Sequence, residues 1–460
     1  MRYISTRGSV PPISFSKAVM MGLATDGGLL LPERIPTISA DQLRHWSRLS
    51  FQDLAVEVMS PFMTAGEPVT AQLPELVRRA FSTFTHPEIT PVVRAGDHWI
   101  LELFHGPTLA FKDVALQFLG NLFETLLNAE QGRLNILGAT SGDTGSAAIH
   151  GVRGRAGIHV FILHPHGRVS PIQERQMTSV LDANVHNIAI RGSFDDGQSI
   201  VKELFNDLAF KDAYRLGAVN SINWARILAQ IVYYFYAWGR VSGGDPARRL
   251  VFSVPTGNFG DIFAGYMAMR MGLPVERLVL ATNRNDILVR FLESGAYRIG
   301  TVQPTISPSM DIQISSNFER YLYYLLGEDS EAVCAAMKRL QQEGVFAVSE
   351  AQRQEAGAIF AARRVGEEET LEQIRLTWEQ HQMLIDPHTA VGLHAAGDFP
   401  GSICLATAHA AKFGAAVHRA VGMEPAIPPP LAGLLERPTR CRILDPDPEA
   451  VRAFIREVLD

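Results

Sequence analysis

The chain has 460 residues, of which 47% are hydrophobic and 20% charged, and its formal net charge at pH 7 is −6. This length and composition predict a globular protein of roughly two to four domains, and the acidic balance excludes a general basic surface for nucleic acid. The most apolar segment, residues 227–238, is interrupted by Gln230 and is too short to span a membrane, and the chain opens without an apolar signal stretch. We therefore expect a cytoplasmic protein with neither a membrane nor a nucleic-acid partner.

The first 90 residues are predicted to be helices and loops, with breakers at Pro11-Pro12 and at residues 26–28. From residue 91 onward, short apolar runs alternate with helical stretches. Strands are predicted over residues 134–137, 159–163, 185–190, 250–254, 278–282 and 402–407, and helices over residues 145–152, 171–181, 194–208, 261–271 and 286–294. Such alternation is typical of parallel sheets with helices on both faces.

The predicted organisation is an N-terminal region over residues 1–90 followed by two α/β units. The first unit covers residues 91–240 and the second residues 241–460, because residues 243–246 form a Gly-Gly-Asp-Pro break between them. A mainly helical insertion with mixed charges is expected within the second unit at about residues 329–382.

A lysine within residues 105–114 has an unusual setting. Lys112 follows a His105-Gly-Pro-Thr turn and precedes the apolar run of residues 114–119. A lysine without basic, charge-rich neighbours is poorly solvated, and desolvation lowers the pKa of its ammonium group. The neutral amine can form a Schiff base with an aldehyde, and pyridoxal 5'-phosphate is the aldehyde cofactor that stabilises carbanions of amino acids. Lys112 is therefore the candidate lysine for this cofactor.

The tetrapeptide Ala-Phe-Lys-Asp occurs twice, at residues 110–113 and 209–212, so it has little diagnostic value alone. Residues 200–208 carry apolar side chains at helical spacing with charges opposite, which predicts an amphipathic helix whose last turn carries Lys211. A cation there is solvated and favourably placed. Most of the six lysines are expected to be surface charges, and the setting after a turn and before an apolar run distinguishes Lys112 from Lys211.

Two glycine-rich loops follow predicted strands and precede predicted helices. They are Ala-Thr-Ser-Gly-Asp-Thr-Gly at residues 139–145 and Pro-Thr-Gly-Asn-Phe-Gly-Asp at residues 255–261. Glycines let a ligand approach the backbone, and the following helix N-terminus offers N–H groups to an anion. Taken alone, each loop is as compatible with an ordinary strand-to-helix turn that carries a helix-capping residue as with a ligand-binding loop. The chain has neither a G-x-G-x-x-G pattern nor a Gly-Lys dipeptide, which argues against dinucleotide and P-loop ATP binding.

Other chemistry-bearing residues give weaker signals. Thr407 lies at a predicted strand end, where a threonine is usually structural, and His388 is read as a turn or helix-start histidine. Cys334, Cys404 and Cys441 are widely spaced, which indicates neither a disulfide framework nor a zinc site. The chain contains no His-Glu-x-x-His motif and no Ser-His-Asp order with an oxyanion loop, so we expect no catalytic metal and no hydrolase triad.

Taken together, these segments resemble the threonine synthase family, in its longer microbial and fungal form. The lysine motif at residues 105–113, both glycine-rich loops and the Leu-Ala-Thr-Ala-His segment at residues 405–409 resemble that family's motifs. Cysteine synthases, dehydratases and racemases share such a lysine and such loops. The segments that narrow the choice to threonine synthases are residues 3–8, 22–29, 220–223 and 307–311.

The resemblance implies a fold and a set of roles. The fold is that of fold-type II pyridoxal-phosphate enzymes, which are similar to the tryptophan synthase β subunit. Lys112 would form the Schiff base, and Thr407 would meet the pyridine nitrogen. The amino-acid carboxylate would rest on Ser141, Gly142, Asp143, Thr144 and Gly145, and the cofactor phosphate on Gly257, Asn258, Phe259, Gly260 and Asp261. Cysteine synthases have an asparagine facing the cofactor ring oxygen where this chain has Asp143, so that contact is left unassigned.

The implied reaction converts O-phospho-L-homoserine and water to L-threonine and phosphate. Arg226 and Arg320, which lie near the family-like segments, are candidates for binding the substrate phosphate, and a monomer or a homodimer is expected. Two other readings stay open. One is a different lyase reaction on the same fold, such as serine or threonine dehydration or phosphohomoserine cleavage without threonine formation. The other is an α/β metabolite-binding protein without a covalent cofactor.

Overall fold

The computed structural model describes residues 1–219 and 221–460; Asn220, the first residue of segment 220–223, lies outside them. The strands are β1 (Tyr3–Ser5), β2 (Leu30–Pro32), β3 (Val92–Ala95), β4 (His98–Glu102), β5 (Leu134–Ala139), β6 (Ile158–Pro165), β7 (Val185–Ile190), β8 (Leu216–Gly217), β9 (Leu250–Pro255), β10 (Val275–Thr282), β11 (Ala296–Arg298), β12 (Val345–Ala347), β13 (Phe360–Arg364), β14 (Ile403–Ala406) and β15 (Arg442–Leu444).

The α-helices between these strands cover both faces of the sheets. They are α1 (Phe15–Met21), α2 (Ala40–Trp46), α3 (Phe51–Met59), α4 (Pro68–Ala71), α5 (Leu73–Phe81), α6 (Lys112–Glu130), α7 (Asp143–Val152), α8 (Pro171–Thr178), α9 (Phe194–Asn206), α10 (Leu208–Ala213), α11 (Trp224–Ser242), α12 (Gly260–Met271), α13 (Ile287–Ser294), α14 (Phe318–Leu325), α15 (Ser330–Glu343), α16 (Glu350–Ile359), α17 (Glu367–His381), α18 (Pro387–Ala395), α19 (Gly414–Val421) and α20 (Pro448–Leu459).

Two parallel sheets form the body of the molecule. The larger has the strand order β13-β10-β9-β14-β4-β3, in which only the β3–β4 pair is antiparallel. The smaller has the order β15-β7-β6-β5-β8 and is parallel throughout. Every residue of β9 and β14 is buried, because parallel strands covered by helices on both faces are apolar throughout. The α/β fold predicted from strand–helix alternation is confirmed.

The two sheets interleave along the chain. Strands β3 and β4, which precede Lys112, pair into the larger sheet beside β14, and β15, near the C-terminus, pairs with β7 in the smaller one. The predicted boundary between residues 240 and 241 therefore does not separate the sheets. These strands are short, and β15 is largely exposed, so they lack the long apolar runs that marked the other strands in the sequence.

Helix α11 lies at the centre of the structure. Nearly all its residues are buried, as expected for a helix that is apolar on all sides. It packs against α3 of the N-terminal region, α6 and α12. The N-terminal region adds a small antiparallel sheet of β1 and β2 to its predicted helices. No helix within the described residues is long and apolar enough to cross a membrane.

Residues 329–382, the proposed insertion, form the helices α15, α16 and α17 and also contribute two strands. The strand β12 pairs with β11, and β13 forms an edge of the larger sheet. The sequence of β13, Phe-Ala-Ala-Arg-Arg, gave no strand signal because an edge strand is only half buried.

Helices α6 and α7 cross where glycines allow close contact. A methyl group added at Gly120 would lie 1.9 Å from the carbonyl oxygen of Gly151, which belongs to the backbone and cannot rotate away. The crossing matters for function because Lys112 begins α6 and Asp143 begins α7.

We predict that Gly120→Ala lowers the free energy of unfolding by about 1–3 kcal/mol, since the helices must move apart. The matched control is Gly357→Ala in α16, where an added methyl group meets nothing within 4 Å. That change should raise the free energy of unfolding by about 0.5–1 kcal/mol through helix propensity. Urea denaturation measures both, and equal effects would contradict the packing argument.

Candidate active site

A turn stabilised by Asp113 presents Lys112 as the first residue of α6. The carboxylate of Asp113 accepts hydrogen bonds from the backbone N–H and the hydroxyl of Thr108, at 2.8 and 2.7 Å. Gly106 is required here, because a methyl group at this position would lie 2.4 Å from Cβ of Asp113. Burial raises the pKa of Asp113 to about 6, although the bonds from Thr108 act in the opposite direction. The Gly-Pro-Thr lead is thus a structural requirement for presenting the lysine.

The segment that follows β14 runs along this turn. The backbone N–H of Phe111 donates to the carbonyl of Thr407 at 2.8 Å, and that of His409 donates to Leu109 at 3.1 Å. Thr407 is buried directly after β14, at the carboxyl edge of the larger sheet. The structure therefore brings Thr407 beside the lysine motif. A site formed by both segments requires this proximity.

Lys112 is half buried and has several charged neighbours. Burial lowers the pKa of its ammonium group to about 8, Asp143 opposes that shift, and Lys412 and Arg226 reinforce it. Its Nζ lies 5.8 Å from the centroid of the Phe111 ring. The lowered pKa makes the neutral amine more available near physiological pH than in an ordinary lysine, which suits reaction with an aldehyde.

The glycine loop after β5 leads into α7, which begins at Asp143. The hydroxyl of Thr140 accepts the N–H groups of Gly142 and Gly145, at 3.0 and 2.9 Å, and so shapes the loop. The first N–H groups of a helix have no partner within it, and those of Asp143 and Thr144 belong to this first turn. The loop can thus hold a carboxylate through its backbone. Ser141 is the exposed residue of the loop.

The side chain of Asp143 is bound to groups of the protein. Its Oδ1 accepts hydrogen bonds from Nζ of Lys412 at 2.7 Å and from Nε2 of Gln173 at 2.8 Å. Burial acts to raise the pKa of Asp143, but Lys412 and then Lys112 outweigh it and hold this pKa below its usual range. Asp143 is therefore an ionised carboxylate.

The second glycine loop connects β9 to α12 and is held from one side by residues 315–317. The hydroxyl of Ser315 donates to the carbonyl of Gly257 at 2.6 Å, and the N–H of Asn317 donates to that of Asn258 at 3.0 Å. A methyl group at Gly257 would lie 2.8 Å from the carbonyl oxygen of Ser309. These contacts direct the N-terminus of α12 toward the cleft and leave its first N–H groups for an anion.

Two residues of this loop direct their side chains into the protein. Phe259, with a positive φ of 61°, packs against Phe318, 5.3 Å between ring centroids. The carboxyl of Asp261 accepts a hydrogen bond from the hydroxyl of Tyr233 at 2.5 Å, and burial raises its pKa to about 7. Both side chains are therefore engaged in contacts within the protein.

The two candidate arginines differ sharply in their surroundings. Arg320 is fully buried and donates to the carbonyls of Leu30 and Ile222 and to the side chain of Asn317. Arg226 is 4% exposed, and its Nε and Nη1 have no hydrogen-bond partner among the described residues. Burial lowers the pKa of Arg226 to about 10. Arg320 supports the loop through Asn317, whereas Arg226 has donors available for a ligand.

Lys211 lies in a different environment from Lys112. The helix predicted over residues 194–208 ends at Asn206 in the structure. Lys211 lies in the separate short helix α10, which is capped by the side chain of Asp207. The break follows from Asp207, which bonds the N–H of Phe210 at 3.0 Å. Lys211 is half buried on this helix rather than in the last turn of a longer one.

The sequence analysis did not single out Lys412 or the hydrogen bonds that hold the side chain of His388. Lys412 lies among Ala410, Ala411 and Phe413, the same kind of apolar setting that singled out Lys112, so a signal for it was available. His388 is a helix-start residue, as predicted, but it is buried. Its Nδ1 lies 2.7 Å from Oδ1 of Asp386, and the backbone N–H of Ser309 donates to its Nε2 at 3.2 Å.

The cleft fits pyridoxal phosphate. The half-buried Lys112 with its lowered pKa, a helix N-terminus behind a glycine that tolerates no side chain, and a buried hydroxyl-bearing residue converge at the carboxyl ends of β9 and β14. Open α/β sheets bind ligands at this edge. A family model described as "Pyridoxal-phosphate dependent enzyme" matches residues 85–364, which include Lys112 and both loops. The chain is therefore a pyridoxal-phosphate enzyme.

The flanking regions define the family. Models described as "Threonine synthase N terminus" and "Threonine synthase, C-terminal" match residues 2–81 and 389–455. The chain is 48% identical to threonine synthase of Pseudomonas aeruginosa, over 99% of this chain and 98% of that one, and 49% identical to that of Saccharomyces cerevisiae, over 91% and 89%. Its fold matches the crystal structure of PLP-bound threonine synthase from Brucella melitensis with a TM-score of 0.96 and 48% identity, over 100% and 99% of the two chains. It belongs to the threonine synthase family.

We predict that, after removal of the cofactor, Lys112 reacts with an amine reagent half-maximally near pH 8. An ordinary lysine reaches that point at about pH 10.4. The sign follows from burial, which disfavours the ammonium form and makes the reactive amine available at lower pH. Peptide mass spectrometry after brief acetylation across a pH series measures the midpoint. A midpoint for Lys112 above pH 10 would show that the amine is solvated.

Proposed function

We propose that the chain converts O-phospho-L-homoserine and water to L-threonine and phosphate. The observation that carries this proposal is that threonine synthase segments flank the pyridoxal-phosphate core at both ends of the chain and contact residues that form or support its cleft. Thr407 and Lys412 come from the C-terminal segment, and Leu30 of the N-terminal one accepts hydrogen bonds from Arg320. The pyridoxal-phosphate core alone is common to many reactions, whereas these flanking segments belong to the family.

The chain's own residues have the following proposed roles. Lys112 would hold the cofactor through its aldehyde and, as a free amine, would move protons at Cα and Cβ of the substrate. The backbone of residues 141–145 holds the substrate carboxylate, and that of residues 257–261 holds the cofactor phosphate. Thr407 donates to or accepts from the pyridine nitrogen without adding a charge. The cofactor supplies an electron sink for the carbanion that forms when Cα loses its proton.

Arg226 is the proposed residue for the substrate phosphate. Its guanidinium group has two nitrogens without partners among the described residues, and it lies close enough to lower the pKa of Lys112. A planar guanidinium group binds phosphate through paired, charge-assisted hydrogen bonds. Arg320, the other sequence candidate, has its donors committed to the protein and is proposed to support the loop.

The finer expectations on location and assembly remain predictions from the sequence. We propose a cytoplasmic enzyme that works as a monomer or a homodimer on a small-molecule substrate and without a nucleic-acid partner. Domain closure over the cleft would exclude water while the carbanion exists.

Incubation of the purified holoenzyme with O-phospho-L-homoserine should release phosphate and L-threonine in equal amounts. Phosphate without threonine would identify a phospho-lyase that cleaves the substrate without adding water at Cβ. Incubation with L-threonine should release no 2-oxobutyrate above background. Release of oxobutyrate without turnover of phosphohomoserine would identify a dehydratase and overturn the proposal. Both assays use the same preparation, so an inactive sample is recognised by the absence of every product.

We predict that Arg226→Met lowers kcat/KM for phosphohomoserine by about 10- to 100-fold, since a charge-assisted hydrogen bond contributes about 1.5–3 kcal/mol. The same change should leave the thermal unfolding temperature of the cofactor-free chain equal or higher, because an unpaired buried charge opposes folding. The control is Arg375→Met on the exposed face of α17, which pairs with Glu372 and Glu379 and should leave kcat/KM unchanged. Unchanged kcat/KM in Arg226→Met would exclude Arg226 from the phosphate site.

A further inference from the structure

A second lysine is buried beside the predicted cofactor site. Lys412 is 3% exposed, and its Nζ donates to two acceptors, Oδ1 of Asp143 and the carbonyl oxygen of Thr108, each at 2.7 Å. An ammonium group loses much solvation energy on burial, so such a lysine remains charged only where a counterion and further acceptors replace water. Asp143, which is 6% exposed, supplies that counterion.

These bonds join three segments that are distant in sequence. Lys412 belongs to the segment after β14, Thr108 to the turn that presents Lys112, and Asp143 to the first turn of α7. Gln173 of α8 donates to the same carboxylate oxygen at 2.8 Å. The position of Asp143 at a helix N-terminus adds a favourable interaction with the helix dipole. The ammonium group therefore fixes both the turn and the carboxylate loop.

We propose that Lys412 is a positioning residue of the cofactor site. Lys412 binds Asp143 and Thr108, and it thereby keeps the Asp143 carboxylate from pairing with Lys112. A buried carboxylate beside two lysines can stabilise the ammonium form of either. Because Lys412 occupies Oδ1 of Asp143, the amine of Lys112 is left to react with the cofactor aldehyde. Lys112 is the other lysine whose charge acts on Asp143, so it is the cation that would replace Lys412 there.

The charges around both lysines support this division of roles. The charged groups that act on Lys112 are Asp143 and Asp113, which favour its ammonium form, and Lys412 and Arg226, which oppose it. The charge of Lys412 also opposes protonation of His150 and His409, whose pKa values are lowered chiefly by burial. The balance at Lys112 therefore changes in opposite directions when Lys412 or Asp143 loses its charge.

Two single variants and their combination test the proposal. In Lys412→Met, the unpaired Asp143 should bind the ammonium group of Lys112 and raise its deprotonation midpoint by about one to three pH units. In Asp143→Asn, the midpoint should fall, because the group that favours the ammonium form is lost. In the double variant the two losses oppose each other, and the midpoint should return toward that of the wild type.

The measurement is the rate at which the full-length chain, freed of cofactor, recombines with pyridoxal phosphate from about pH 6 to about pH 10. Borohydride trapping after a fixed short time, with peptide mass spectrometry, reports the adduct on Lys112 itself. Thermal unfolding of each variant reports folding separately. Lys211→Met, which removes a lysine of α10, is the matched control and should leave the midpoint unchanged.

Opposite shifts in the two single variants, with recovery in the double variant, are the expected result. A midpoint in Lys412→Met equal to that of the wild type, in a chain that unfolds cooperatively, would overturn the proposal. If Lys412→Met does not fold, Lys412→Gln takes its place. Its midpoint should lie above that of the wild type, because Asp143 keeps its carboxylate and loses its cation, and an equal midpoint would overturn the proposal.

Discussion

A charge that leaves water needs a partner inside the protein, and this requirement governs the cleft between the two sheets. Three cationic groups, Lys112, Lys412 and Arg226, are gathered there with the carboxylates of Asp143 and Asp113. Lys412 is paired with Asp143, and Asp113 is bonded to Thr108. Lys112 and Arg226 are the two cations left without a carboxylate partner of their own, and they are the two to which we assign ligands. The arrangement thus prepares the cleft for an aldehyde and a phosphate.

The interleaving of the two sheets makes this gathering possible. Strands β4 and β14 lie side by side in the larger sheet although about 300 residues separate them in the chain, and the segments that follow them carry the turn of Lys112 and the segment of Thr407 and Lys412. The glycine loops follow β5 and β9, one in each sheet. Each segment is short and simple by itself, and the sheets bring all four to the same cleft. The close α6–α7 crossing at Gly120 and Gly151 fixes the distance between the first residues of these helices.

The sequence was sufficient to predict the α/β class, the cofactor and the family, while Lys112 as the cofactor lysine stays a prediction. Lys112 could be separated from Lys211 because its lead sequence has a conformational purpose, which the bonds between Thr108 and Asp113 now explain. The sequence could not separate Arg226 from Arg320, because what distinguishes them is the set of carbonyl groups that surround each guanidinium. Those carbonyls come from residues 30 and 222, and no local pattern brings them to residue 320. Local sequence patterns likewise could not assign strands β3, β4 and β15 to a sheet, because long-range pairing decides their positions. They also could not identify Lys412 as the partner of Asp143.

The central claim is that Lys112, and no other buried lysine, carries the cofactor. Borohydride reduction of the holoenzyme as purified, followed by proteolysis and mass spectrometry, locates the attachment site directly, since the reduced link survives digestion. The account predicts a phosphopyridoxyl group on the peptide that contains Lys112 and on no other. The same group on the peptide of Lys412 or of Lys211 would contradict it.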